Sequence, residues 1–184
     1  MGTLRSLARV CGERQSPGTT ARLYAVEVCD IATFPNTVRF DTPASTDPDA
    51  DITLASAFTM VATKTFKYFD IVIDTGKFTS EKIGEMGSEA FQNGVEFRIA
   101  GTKPLQVAAF EQFVRIAGVF VIETNNNNRY VIGTKKRPAH VETATLDSGA
   151  ALTDSNGTDY VIRATDSLPI LQYPAALALV IDTP

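Results

Sequence analysis

Residues 91–134 read FQNGVEFRIA GTKPLQVAAF EQFVRIAGVF VIETNNNNRY VIGT, and their order predicts strand, helix, strand, turn, strand. In Phe91–Ala100, Val95, Phe97 and Ile99 alternate with Glu96 and Arg98. Period-two alternation is that of a strand with one buried face. The period then changes. Val107, Phe110, Val114 and Ala117 form an apolar stripe from Pro104 to Ala117, widened by Phe113. Thr102 is the expected N-cap, Pro104 suits a first helical turn, and Gly118 is the expected stop. The result is an amphipathic helix of about four turns, too short to span a bilayer. Val119–Ile122 is continuously apolar, which suits a strand buried on both faces. Asn125–Asn128 tolerates left-handed backbone and reads as a solvated hairpin turn into the strand Arg129–Gly133.

Working outward, Ala21–Asp30 alternates around Leu23, Ala25, Glu27 and Cys29 and is a predicted strand, with Cys29 half-buried. Residues 31–51 carry Pro35, Pro43 and Pro48, with Asp41, Asp47, Asp49 and Asp51 against only Arg39. Loops of that length in a compact domain are usually functional or ordered by a partner. Ile52–Thr65 and Phe66–Thr75 predict two strands or one bent strand. Residues 76–87 predict a turn, a strand and a loop. Further strands are expected in Lys135–Leu146, around Tyr160–Arg163 after the Asn156-Gly157 turn signal, in Leu168–Tyr173 and in Leu177–Ile181. The predicted fold class is mainly β (α+β). It is a β-sandwich or barrel of about eight to ten strands, with one amphipathic helix packed outside and a long early loop. Residues 1–20 read as an N-terminal arm and 21–184 as a single β-rich domain with an extended loop at 31–51.

A chain of 184 residues can bury a real core. Apolar residues make up 44% and charged residues 21%, and the net charge is −4. Neither half is basic, so the electrostatic footprint of tight nucleic-acid binding is not expected. Cys11 and Cys29 imply no disulfide framework, and both read as reduced. No apolar run is long enough for a membrane span, and no membrane partner is expected. The first twenty residues carry no hydrophobic signal core. Met1-Gly2 with Ser6 fits a loose myristoylation pattern, and Arg5, Arg9 and Arg14 faintly suggest a transit peptide. A plain terminal arm is the preferred reading.

Chemistry-bearing motifs are sparse. His140 is the single histidine, on a predicted strand beside Val141 and Glu142, and reads as a surface side chain. Asp47, Asp49 and Asp51 have the spacing that opens a calcium loop, but Ile52 replaces the turn glycine and Phe58 the closing glutamate. Gly84–Gly87 lacks the lysine of a phosphate loop, and Asn156-Gly157-Thr158 is a sequon that reads as a turn. Lys135-Lys136-Arg137 is too short for a nucleic-acid site and could meet the acidic loop of a neighbouring subunit. No catalytic, cofactor-binding or metal-binding residue is assigned, no cofactor is expected, and the chain is not expected to be an enzyme.

The stretches FKYFDIVIDTGKF, NGVEFRI, PLQVAAFEQFVRIAG, VFVIETNNNNRYVIGT, RPAHVETAT and NGTDYVIRAT, over roughly residues 66–165, resemble the tail-tube proteins of tailed bacteriophages. The resemblance is regional, and no single residue is matched by a motif. It implies a virion structural protein, assembled in the host bacterial cytoplasm, whose subunits form a homo-oligomeric ring, usually a hexamer. The inner strands of such a ring join into a continuous β-barrel. Rings stack into a tube through which DNA passes without sequence-specific binding. The 31–51 loop would then reach an adjacent subunit or ring, and other virion proteins would be partners. A neck or ring, tail-terminator or capsid-decorating protein is the alternative, and a small-molecule-binding or hydrolytic β-barrel enzyme a third reading.

Overall fold

Everything in the molecule joins at the apolar run Val119–Ile122. In a computed structural model, which describes residues 17–42, 49–151 and 154–181, it lies in the strand β7 (Ala117–Thr124). Ten further strands are described: β1 (Thr19–Glu27), β2 (Ile31–Thr33), β3 (Thr59–Met60), β4 (Lys67–Asp70), β5 (Lys77–Ile83), β6 (Ala90–Ala100), β8 (Arg129–Ile132), β9 (Ala139–Asp147), β10 (Gly157–Asp166) and β11 (Leu171–Tyr173). Two helices accompany them, α1 (Val38–Asp41) and α2 (Pro104–Arg115). The fold is mainly β, as expected. Nine strands form one antiparallel sheet, β2 and β3 form a second small one, and no closed barrel is formed.

The large sheet forks at β7. One side of β7 pairs with β1, from Gly118 opposite Glu27 to Ile122 opposite Leu23. Its other side pairs with β8 over Phe120–Glu123, and with β9 at Ala117 and Gly118 only. Two branches result. The first runs β4-β1-β7-β8-β11, and the second β9-β10-β6-β5. Two glycines allow the fork. A Cβ on Gly118 would lie 2.5 Å from the Val26 carbonyl oxygen. One on Gly133, where φ is +86°, would lie 2.6 Å from the Ala139 nitrogen. A side chain at Gly133 would push the branches apart, and one at Gly118 would push β7 away from β1.

The first branch is buried on both faces, as the uninterrupted apolar run predicts. Leu23, Ala25, Phe120, Ile122 and Ile132 face the second branch, meeting Val95, Phe97, Tyr160 and Ile162. Tyr24, Val26, Val119, Val121 and Val131 face the other way, against Ile31, Leu54, Phe58, Phe66 and Tyr173. The 28–66 segment thus covers the outer face. This corrects the expectation of an extended 31–51 loop. Among its described residues, Ile31 and Ala50 are buried, and Val38 and Arg39 donate backbone hydrogen bonds to Thr53 and Ala50. Residues 43–48, with Pro43, Asp47 and Pro48, lie outside the described residues.

Other boundaries also shift. The 52–75 region, expected as two strands or one bent strand, yields two short ones, β3 and β4. Leu177–Ile181 makes no strand, only one bridge from Ile181 to Phe66. The helix α2 has twelve residues. Pro104 at its first position puts Lys103, not Thr102, at the N-cap, with no side-chain cap bond. The helix ends at Ile116, before Gly118, which already belongs to β7. Its predicted stripe is mostly solvent-facing, with Val107 and Val114 at 41% and 42% exposure. Phe113 alone is fully inserted, its ring meeting Phe69, Phe97, Phe120 and Tyr160 at centroid distances of 4.8 to 6.1 Å. Phe113, together with the half-buried Phe110 at 6.2 Å from the Tyr160 ring, anchors the helix on the core side of the second branch.

Candidate assembly surface

The two branches end differently. On the first, the β11 edge is covered by the chain itself, and one further backbone bond lies just before β4. The Phe66 amide, at the head of β4, donates to Val180 at 2.8 Å. Beside β11, Leu54 donates to the Gln172 carbonyl at 2.9 Å, and Gln172 donates to Ile52 at 2.8 Å. On the second branch, β5 pairs with β6 alone, and β9 beyond His140 pairs with β10 alone. Among the described residues, no backbone hydrogen bond from another segment reaches 77–83 or 141–147. Unpaired strand edges of this kind are templates for a further strand.

The outer face of the second branch is bare and polar. It is a lattice of ion pairs. Arg163, opposite Gly94, reaches Glu96 and Glu142 at 3.2 Å each, and donates to Thr79 Oγ1 at 2.9 Å. A Cβ on Gly94 would collide with that guanidinium, so glycine makes the space for it. Arg98 pairs with Asp159 at 3.1 Å and donates to the Ser155 carbonyl. The face therefore satisfies most of its own charge. Its two end turns are fixed the same way. Asp154 accepts from the amides of Ala150 and Ala151 at 2.9 and 2.8 Å, which holds its carboxyl below the usual aspartate value. Backbone amides at Gly87 and Glu89, and then Lys82, likewise hold the Glu89 carboxyl low.

The residues singled out from sequence do not converge. His140 is exposed on β9, opposite Ala117 and Arg163. Asp49 accepts from Thr53 Oγ1, Asp51 pairs with Arg39, and Asp47 lies outside the described residues. Among the described residues, no group of His, Cys, Asp and Glu is arranged to hold a metal ion. Gly84 and Gly87, both at positive φ, shape the β5–β6 turn. The Asn125–Asn128 turn forms as expected, with Asn127 left-handed at φ +62°. Cys29 is exposed in a single 3-10 turn after β1, not half-buried in a strand. Its thiol is pushed up by hydrogen bonding to Glu27. Cys11 lies outside the described residues.

The basic run is divided. Lys135 turns back on its own chain and donates to the carbonyls of Ile31 and Ala32 at 2.7 and 2.8 Å. Lys136 and Arg137 instead border an open groove of about 730 Å³ whose apolar lining includes Phe34, Phe40 and Leu168. The sequence does not show which strands carry the open edges. The alternation of β9 (AHVETATLD) shows a half-buried strand, but no local pattern says which strand will lack a neighbour. No protein-family model, no curated protein and no solved structure matches the chain.

Proposed function

We propose that this chain is a self-assembling virion structural protein, a tail-tube subunit that forms stacked rings around a DNA channel. The observation that carries the proposal is the second branch, a four-strand sheet with both edges unpaired and one face bare. A lone subunit leaves those backbone groups to water, and copies of the chain would satisfy them. On the first branch the chain itself closes the β11 edge, where Gln172 bonds to Ile52 and Leu54, so that edge offers no strand site.

In this reading the bare face lines the channel. Its two arginines, Arg98 and Arg163, are engaged by Asp159, Glu96 and Glu142. Cations already paired within the sheet hold phosphate weakly, and the net charge of −4 adds repulsion. Such a surface lets DNA pass without retaining it. The reading assigns no catalytic residue and no cofactor.

Negative-stain microscopy and light scattering of the purified chain across a concentration series test it. Rings with a central hole, or tubes at high concentration, are the expected result. A chain that stays monomeric at every concentration overturns the proposal. Oligomers without a central hole would direct attention to the decorating or terminator alternatives.

A further inference from the structure

The strands β5, β6, β10 and β9 alternate in direction, each antiparallel to the next. The two edge strands of this four-strand branch therefore run oppositely. A copy related by rotation about an axis along the strands keeps its strand directions. Its β9 then arrives beside β5 antiparallel, and the alternation continues unbroken from copy to copy. We propose that β5 of one copy pairs with β9 of the next in a single register: Lys77 opposite Asp147, Phe78 opposite Leu146, Thr79 opposite Thr145, Ser80 opposite Ala144 and Glu81 opposite Thr143. The pairing rests on the self-assembly reading and names its partner, the opposite edge of a second copy.

Three observations select this register. The first is the extent of regular strand. The β9–β10 ladder shifts between Val161 and Ile162, leaving Glu142 as an extra residue, so β9 is regular only over Thr143–Asp147. Those five residues fit within the seven of Lys77–Ile83, and the next two observations place them against Lys77–Glu81. The second is the face each side chain takes. Phe78 and Ala144 pack against the core, and Lys77 and Asp147 are exposed, so like faces meet like. A slip of one residue would turn every pair to the wrong face. The third is chemistry. The register joins a cation to a carboxylate, two apolar side chains and two threonines, all favourable cross-strand neighbours. A slip of two residues in either direction separates Lys77 from Asp147 and Phe78 from Leu146. Pairing β5 with its own copy about a two-fold centred on Ser80 sets Lys77 against Ile83 and ends at a dimer. The β5-to-β9 contact is head-to-tail, which generates rings when the rotation closes.

Directly opposite residues stand within disulfide reach. The test uses Thr79→Cys and Thr145→Cys as separate full-length chains in a background with Cys11→Ser and Cys29→Ser. Under mild oxidation the mixture is expected to give a disulfide-linked heterodimer, and each chain alone to stay unlinked. A second measurement uses charge. Lys77→Asp and Asp147→Lys are each expected to weaken association about two- to fivefold per interface, and their combination to restore it. Rings that form without the heterodimer, or Thr79→Cys chains that link to themselves, overturn this pairing while the self-assembly reading stands. Unassembled wild-type chain with no cross-link overturns both.

Discussion

The two branches of one sheet have opposite fates. In β4-β1-β7-β8-β11, the central strands are buried on both faces and the β11 edge is closed by the chain's own excursions. In β9-β10-β6-β5, one face is a lattice of ion pairs and both edges are open. The difference follows from what the intervening sequence does. The 28–66 segment and the residues after β11 are rich enough in Phe, Leu and Ile to be drawn onto the first branch. They supply Phe34, Phe58, Phe66, Leu177 and Leu179 to its outer core. Around the second branch, α2 packs on the core side, and the described parts of the β5–β6 and β9–β10 connections are short turns that lay nothing on the outer face. Stability and exposure are thus divided between two parts of one sheet.

The largest expected effect breaks the comparison at the point where the branches meet. Phe113 lies between them, touching Phe69 and Phe120 on one side and Phe97 and Tyr160 on the other. Phe113→Ala leaves a cavity in the shared core and is expected to cost about 3–5 kcal/mol. Denaturant unfolding should show a lower midpoint with little change in slope. Loss of only the helix signal, with the sheet intact, would mean that the aromatic merely holds α2 in place.

The fork itself comes next. Gly133→Ala forces a left-handed residue to carry a Cβ, aimed at the Ala139 amide and at the Gly118 carbonyl oxygen 2.8 Å away. The backbone strain alone is about 1–3 kcal/mol. Amide exchange would localise the effect. Protection should fall first at Ala117, Gly118, Ala139 and His140, where the branches join. A uniform loss of protection would show that the branches unfold as one unit.

A smaller effect is expected on the bare face. Glu142→Gln removes one of two carboxylates from Arg163 and leaves Glu96 in place. Exposed pairs of this type contribute about 0.2–1 kcal/mol. The change in unfolding midpoint should therefore be far smaller than for Phe113→Ala, and smaller still in high salt. A large effect would mean that the lattice of ion pairs holds the branch together.

These contrasts explain what could be read from sequence. The alternation of Val95, Phe97 and Ile99, the unbroken Val119–Ile122 and the Asn125–Asn128 turn each act over a few residues, and each formed as expected. The helix misled because an apolar stripe signals a face without showing that anything covers it. Leu105, Val107 and Val114 remain exposed, while Phe113 is inserted and Phe110 packs half-buried against the core. The 31–51 segment misled for the reverse reason. Prolines and aspartates read as an outlying loop, yet Ile31, Ala50 and Leu54 pull it onto a face made by residues distant in sequence. The open edges were illegible because an edge is defined by the absence of a neighbour, a property of topology.

The smallest expected effect concerns pH, and it separates the branches by chemistry. Asp154 and Glu89 sit in turns at the ends of the β9–β10 and β5–β6 hairpins, and each is held below its ordinary value chiefly by backbone amides. A carboxyl whose folded value is depressed contributes stability that is complete above its unfolded value. That contribution is lost as pH falls through the folded value, so these two turns should loosen only below the ordinary carboxylate values of 3.8 for Asp154 and 4.5 for Glu89. The first branch has no counterpart among the groups with a depressed value. Its shifted Tyr173 is pushed up by burial and meets alkali, not acid. Amide exchange followed as pH falls below the ordinary aspartate value of 3.8 should therefore show Ala150 and Ala151 opening before Leu23 or Val121. Asp154→Asn should abolish the pH dependence at the first pair while leaving the second unchanged. Asp147 belongs to the same turn, accepting from the Gly149 amide at 2.9 Å. Acid below the ordinary aspartate value of 3.8 would then loosen this end of β9 before the core, and an assembly built on that edge should fail at a higher pH than folding does.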